Sequence, residues 1–381
     1  MKVILSVDPV RWPLTGIGRY VYELAQRLPD MPEIESIRFQ KRGRLLDTVP
    51  CPAPGKGMTC VRIPAWLQKS ALVVGFYRRT VSRVKSMALR GSEDCVFHAP
   101  NYHLPPFGGP SVVTIHDISV FTYPECHPPG RVRYTQREIQ RSLRRATRVI
   151  TDSDYVKREI ASFWAWPMER IHTVHLASSG TFHPRAPKEI RPVLHRLRVP
   201  EGGYTLFVGT IEPRKNIVAL LDAYSSLPSP VRRRWPLVLA GHRGWESAGI
   251  HDRMAEAERE GWAIYLDYAA EEDLPFLYAG ARLFVYPSLY EGFGLPVLEA
   301  MASGVPVVCS NTSAFPEVAG DAALMCDPRD VDALARCIQT GIEDDIWRAF
   351  AVRKGLERAA QFSWVRCARE TAAVYQKALE S

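Results

Sequence analysis

The sequence predicts an α/β protein of two doubly wound domains that face one another across a cleft. Apolar strand-like runs alternate with helical patterns along the chain, the pattern of mainly parallel sheets. At 381 residues the chain is long enough for two separate cores. The alternation lapses over Ser178–Pro192, which carries glycine- and proline-type breaks and little periodicity, and we place the linker there. The domains so divided are residues 1–185 and 186–363. Sheets of this kind bind ligands at the carboxyl ends of their strands.

Taken in order, Val3–Val7 is the first strand; it is too short for the apolar core of a signal peptide and runs straight into Asp8. Cys95–His98, Val112–His116 and Arg148–Thr151 follow as buried runs of the same kind. In the second half the strands are Thr205–Val208, Leu237–Ala240, Ile264–Leu266, Leu283–Tyr286 and Val305–Cys309, with a helix at Ile217–Tyr224. Pro287 stops the run Leu283–Tyr286. A short helix through Ala300–Ser303 closes on Gly304, with Pro296 suited to its first turn. Trp364 to Leu379 alternates apolar and charged residues at helical period.

Composition narrows the class. Hydrophobic residues make up 46% of the chain, as in a globular protein. The eight cysteines form no Cys-x-x-Cys and no Cys/His cluster at zinc spacing, which fits a reducing cytoplasm better than a disulfide framework. No apolar stretch approaches the ~20 residues that span a bilayer. The net charge of +8 is uneven: residues 1–185 carry +12 and residues 186–381 carry −4.

Residues 291–299, Glu-Gly-Phe-Gly-Leu-Pro-Val-Leu-Glu, hold the most chemistry. Strand, glycine-containing loop and helix N-terminus together form an anion site, because unpaired N–H groups and the helix dipole converge there. Two flanking carboxylates repel phosphate, so sugar or ribose hydroxyls are their natural partners. The spacing resembles the E-x7-E signature of retaining glycosyltransferases of the GT-B fold, in particular glycosyltransferase family 4. That resemblance implies two Rossmann-like domains, with residues after about 364 returning to the first. It also implies a nucleotide-sugar donor held by Gly292, Phe293, Gly294 and Leu295, with Glu299 on the ribose. Glu291 then orients the sugar and stabilises positive character at its anomeric region.

A second cluster, Val208-Gly209-Thr210-Ile211-Glu212-Pro213-Arg214-Lys215-Asn216, sets two cations near another helix N-terminus, where an anion is needed. Family 4 enzymes usually show Val-Gly-Arg-Leu with a lysine five residues after the arginine. Lys215 matches the lysine, Thr210 occupies the arginine position, and Arg214 is the substitute. Adjacent residues do not share a face, so each is expected to reach a different phosphate oxygen. Gly241 begins the loop His242-Arg243-Gly244-Trp245 bordering the same pocket. In relatives the segment at Asp267-Tyr268-Ala269 lies beside the base. Ser313–Glu317 resembles the family's brace for the active-site helix, with Glu317 structural.

On the acceptor side, Thr15-Gly16-Ile17-Gly18-Arg19-Tyr20 lacks the third glycine of a dinucleotide fingerprint, which excludes a dehydrogenase. By resemblance, the loop with Gly16 and Gly18 closes over the donor phosphate. His116, at a strand end, matches a family histidine that contacts the transferred sugar. Asp152-Ser153-Asp154 has the form of a metal motif but precedes a helical pattern, so Ser153 or Asp154 is read as a cap. The resemblance likewise implies no metal and no other cofactor.

Two basic stretches stand on this domain. Arg62 to Arg90 has seven Lys/Arg and no acid; in Arg131 to Arg148, Arg133, Arg137, Arg141, Arg144 and Arg148 follow one helical face. They suit an anionic membrane surface or a pyrophosphate-linked lipid. No nucleic-acid module is recognisable, so nucleic acid is not an expected partner. The combined motifs look most like bacterial O-polysaccharide mannosyl- and rhamnosyltransferases. The resemblance implies GDP-mannose or GDP-D-rhamnose as donor and an undecaprenyl-diphosphate-linked saccharide as acceptor. It also implies a peripheral position on the cytoplasmic face of the inner membrane. A nucleotide-sugar epimerase of the same fold and a catalytically silent carbohydrate- or lipid-binding relative stand as alternatives.

Overall fold

The computed structural model describes residues 1–12, 14, 16–49 and 82–381. Most of the basic stretch 62–90 lies outside these residues. Two Rossmann-like sheets form the protein, as the alternating pattern predicts.

The first sheet has seven strands: β1 (Lys2–Ser6), β2 (Ser36–Lys41), β3 (Arg44–Leu46), β4 (Val96–Ala99), β5 (Ser111–Ile115), β6 (Arg148–Thr151) and β7 (Ile171–Thr173). Their spatial order is β3-β2-β1-β4-β5-β6-β7. Among the described residues only β2 and β3 pair antiparallel, through a tight turn in which Arg42 and Gly43 both have positive φ. The second sheet has six parallel strands: β8 (Thr205–Val208), β9 (Leu237–Ala240), β10 (Ala263–Leu266), β11 (Leu283–Tyr286), β12 (Val307–Ser310) and β13 (Ala323–Cys326). Their order is β10-β9-β8-β11-β12-β13. Chain direction across the sheet reverses between β1 and β4 and again between β8 and β11. Loops leaving these pairs diverge and open a crevice, so the switch points locate the site.

The helices that frame the site are α1 (Gly16–Arg27), α2 (Pro129–Leu143), α3 (Asp154–Trp164), α4 (Pro187–Leu197), α5 (Ile217–Ser225), α6 (Ala248–Arg259), α7 (Leu274–Gly280), α8 (Leu295–Ala302), α9 (Val331–Glu343), α10 (Asp345–Ala359) and α11 (Trp364–Leu379). Helix α11 packs on the first domain: Tyr375 Oη lies 2.7 Å from His98 Nδ1, and Arg148 Nη2 donates to the Lys377 carbonyl at 3.0 Å. Ser363 caps it by accepting from Arg366 N at 3.1 Å.

Three sequence expectations need correction. The expected linker Ser178–Pro192 contains the start of α4, which takes Pro187 in its first turn and tolerates Pro192 inside because Ile190 and Leu194 bury its apolar face. The strand expected at Val305–Cys309 begins only at Val307, since Pro306 lacks an N–H and gives its carbonyl to Phe284 N at 2.9 Å. Arg148 stands on β6, not on the arginine face of α2. Strands β2, β3 and β7 carry mixed rather than continuous apolar runs, and β13, though apolar throughout, is a four-residue edge strand; none of them is among the strands expected from the sequence.

Candidate active site

Gly294 caps α8 with φ +107°, a conformation costly for any residue with a Cβ. Gly292 is required for another reason. A Cβ there would stand 1.8 Å from the His116 carbonyl oxygen, so the loop presses directly on the first domain. Ser153 fastens the same contact: its Oγ donates to the Gly292 carbonyl at 2.8 Å while accepting from Val156 N to cap α3. Phe293 is buried beside His175 and Phe362, and Leu295 opens α8 facing Gly16. Gly16 and Gly18 belong to the first turn of α1, so the expected glycine loop ends at Gly16.

Glu291 is the hub. Its Oε1 accepts from Lys215 Nζ at 2.5 Å and lies 3.0 Å from Arg214 Nη1. The two cations converge on this carboxylate oxygen because Pro213–Lys215 is a tight 3-10 turn. Asn216, at φ +57°, locks that turn by donating to the carbonyls of Pro287 and Pro328. Arg214 also pairs with the buried Glu212 at 2.7 Å and donates to the Tyr290 carbonyl. Burial alone would push the Glu291 carboxyl up, but Arg214 and Lys215 hold it at about 2. Burial, reinforced by Arg214, pulls the Lys215 ammonium down. Burial opposes the Arg214 charge as well, yet Glu291 and Glu212 raise it above its ordinary value.

Glu299, about one turn into α8, behaves oppositely. Burial pushes its carboxyl up to about 7, with Arg19 lowering it and Glu271 adding repulsion. Arg19 of α1 reaches across to pair with Glu271. Gly209 and Gly241 end neighbouring strands back to back; a Cβ on Gly241 would collide with the Gly209 carbonyl. Tyr268 is half exposed and stacks on His242 at 4.8 Å.

His116 follows β5. Its Nδ1 lies 2.7 Å from Asp152 Oδ2 and its Nε2 lies 3.1 Å from the Pro100 carbonyl. A carbonyl only accepts, so Nε2 carries a proton. Burial would favour the neutral ring, but Asp152 raises the His116 pKa. Asp152 was hidden within Asp152-Ser153-Asp154, whose members serve three separate ends: it orients His116, Ser153 caps α3, and Asp154 accepts from Thr173. Glu317 is structural: its carboxylate takes the N–H groups of Asp154 and Tyr155 at the start of α3 and pairs with His175.

Glu291, Arg214, Lys215 and His116 thus gather with the Gly292–Leu295 turn at the carboxyl edges of both sheets. Arg133, Arg137, Arg141 and Arg144 do not join them. They are exposed along and just past α2, and Arg144 lies roughly 20 Å down the helix from its cleft end at the ~1.5 Å rise of an α-helix. Among the described residues, no helix is long and apolar enough to cross a membrane.

The family model described as Glycosyltransferase Family 4 matches residues 14–177, and the Glycosyl transferases group 1 model matches residues 196–360. The chain is 45% identical to O-antigen chain mannosyltransferase B of Escherichia coli, over 99% of this chain and all of that protein. It is 25% identical to the O-antigen chain mannosyltransferase RfbU of Salmonella typhimurium, over 83% of this chain and 84% of that one. Among solved structures, the sucrose-phosphate synthase of Thermosynechococcus elongatus superposes with a TM-score of 0.73 at 19% identity, covering 99% of this chain and 98% of that one. WaaG, a glycosyltransferase involved in lipopolysaccharide biosynthesis, gives 0.70 at 15% identity, covering 98% and 99%.

Proposed function

The chain belongs to glycosyltransferase family 4, and from that premise we propose that it transfers mannose from GDP-mannose, with retention, to a lipid-linked saccharide of a growing O-polysaccharide. The observation that carries the reading is the convergence of Arg214 and Lys215 on Glu291, beside the α8 N-terminus. Likeness to two O-antigen mannosyltransferases supports mannose over D-rhamnose.

A donor diphosphate takes over both cations, helped by backbone N–H groups of Gly292–Leu295. Glu291, released from them, keeps its negative charge beside the anomeric carbon. The bond from that carbon to the diphosphate oxygen breaks, a bond to the acceptor hydroxyl forms on the same face, and the hydroxyl proton leaves with the phosphate. Glu299 accepts the ribose hydroxyls. His116 holds the sugar from the opposite domain by exchanging the Pro100 carbonyl for a sugar hydroxyl at Nε2. No metal or other cofactor enters this scheme. The exposed arginines of α2 suit an anionic membrane surface, each worth about 1 kcal/mol. They support a peripheral position on the cytoplasmic face of the inner membrane, where an undecaprenyl-diphosphate acceptor is presented.

The test is a donor panel (GDP-mannose, GDP-D-rhamnose, UDP-glucose) with a polyprenyl-diphosphate saccharide, read by product mass and anomeric configuration. An α-mannosyl product is expected. A β-linked product overturns retention, and transfer from another donor alone overturns mannose. Charge reversal at Arg133, Arg137, Arg141 and Arg144 is expected to weaken binding to anionic vesicles; unaltered binding removes the membrane part.

A further inference from the structure

Trp245 belongs to the second domain, but its indole lies in the first. Its Nε1 donates to the Cys126 carbonyl at 2.7 Å. The His127 ring lies against it with centroids 5.8 Å apart, and the Arg131 guanidinium sits 4.4 Å over its face. A hydrogen bond, a ring contact and a cation–π contact thus meet on one side chain across the cleft.

Both ends of this contact lead to residues of the site. On the first domain, His127 Nε2 lies 3.0 Å from Ser119 Oγ, which donates to Asp117 Oδ1 at 2.7 Å; Asp117 is the neighbour of His116. Because the serine proton goes to Asp117, the histidine donates to the serine oxygen, which fixes its tautomer. On the second domain, the loop carrying Trp245 is bonded to the segment before the cations. Ile211 N donates to the His242 carbonyl and Gly244 N donates to the Ile211 carbonyl, both at 2.9 Å. Gly244 has no room for a Cβ, which would stand 2.6 Å from the Ile211 carbonyl oxygen. Ile211 precedes Glu212, the partner of Arg214.

We propose that Trp245 is a positioning residue for sugar transfer: seated on Cys126, His127 and Arg131, it holds the phosphate cations of one domain in register with His116 of the other. It touches none of the reacting atoms; it fixes the distance between two groups that must act on one bound donor, the cations on its diphosphate and His116 on its sugar. The proposal rests on the glycosyl-transfer reading above.

Three variants and three readouts test it. Trp245→Ala removes the contact, Trp245→Phe keeps a ring between His127 and Arg131 but loses the N–H, and Arg131→Gln removes only the cation. For Trp245→Ala, kcat is expected to fall roughly 10- to 100-fold, the scale of a small misplacement of reacting groups. The affinity for GDP alone, a ligand of the second domain, is expected to hold. Trp245→Phe restores most of the lost turnover, and Arg131→Gln shifts kcat in the same direction as Trp245→Ala by less. Small-angle scattering shows a larger radius of gyration for Trp245→Ala than for wild type. Wild-type kcat in Trp245→Ala, a parallel loss of GDP affinity, or an unchanged radius of gyration overturns the proposal. If Trp245→Ala does not fold, Arg131→Gln decides by the same three readouts. If the wild-type protein transfers sugar from no donor, the functional reading falls, and scattering alone decides whether Trp245 holds the domains.

Discussion

Lys215 Nζ stands 2.5 Å from Glu291 Oε1, and the same carboxylate oxygen lies 3.0 Å from Nη1 of the neighbouring Arg214. Glu291→Gln therefore strips the buried Lys215 of its carboxylate and leaves Arg214 with Glu212 alone. Breaking a buried pair by removing one partner costs about 3–5 kcal/mol. Thermal unfolding is expected to move down, and saturating GDP is expected to raise the variant's midpoint more than the wild type's, because the diphosphate no longer competes with a carboxylate. Turnover falls by roughly 10²–10³, the scale for one preorganised electrostatic group. A Gln variant as stable as wild type would show that Glu291 does not hold these cations.

Glu299 gives the protein a pH signature near neutrality. Burial raises its carboxyl from 4.5 to about 7, with Arg19 opposing and Glu271 adding. A carboxyl raised on folding contributes stability that is fully present below 4.5 and lost as pH rises through about 7. Ribose hydroxyls bond more strongly to the ionised form. Donor affinity is thus expected to increase from pH 6 to 8 while intrinsic stability declines. Glu299→Gln removes the affinity slope and makes the stability slope shallower, leaving the part that His116 contributes; donor titrations and thermal melts across that window check this.

Asp152 and His116 form the corresponding pair on the first domain. Burial disfavours the imidazolium, and Asp152 overrides it to raise the His116 pKa. A histidine raised on folding contributes stability that is present below 6.5 and lost as pH rises through the folded value. In Asp152→Asn, burial wins and the ring turns neutral at a lower pH. Ring nitrogen resonances followed by NMR are expected to show the lowered titration, together with roughly tenfold slower turnover from a less firmly oriented ring. An unchanged His116 titration would mean that Pro100 alone orients the ring.

Much of this was legible because it is local. The run Leu283–Tyr286, the glycine at 294 and the proline at 296 each act within a few residues, and each matches its element. The partner of His116 is 36 residues away and was masked by a stronger local signal, the helix cap at Ser153. Trp245 read as a loop residue bordering a pocket, since nothing in its neighbours indicates that the indole crosses to Cys126. Convergence of Arg214 and Lys215 was likewise hidden, because it depends on the tight turn that Asn216 locks from 71 and 112 residues away.

Gly292 converts the contact between the domains into a sharp test. The constraint there is space: a Cβ would stand 1.8 Å from the His116 carbonyl oxygen and 3.1 Å from Asp117 Cβ. Backbone on both sides leaves no flexible side chain to give way. Gly292→Ala must therefore push the α8 N-terminus away from β5, and with it Glu291 and the cations. Because the loop sits between domains, each core remains packed, so the melting temperature is expected to change little. Turnover is expected to fall about 10²-fold, as for a misplacement near 1 Å. Kinetics and melts on the same sample separate the two effects. A Gly292→Ala protein with ordinary turnover would show that the two domains do not approach this closely while the enzyme works.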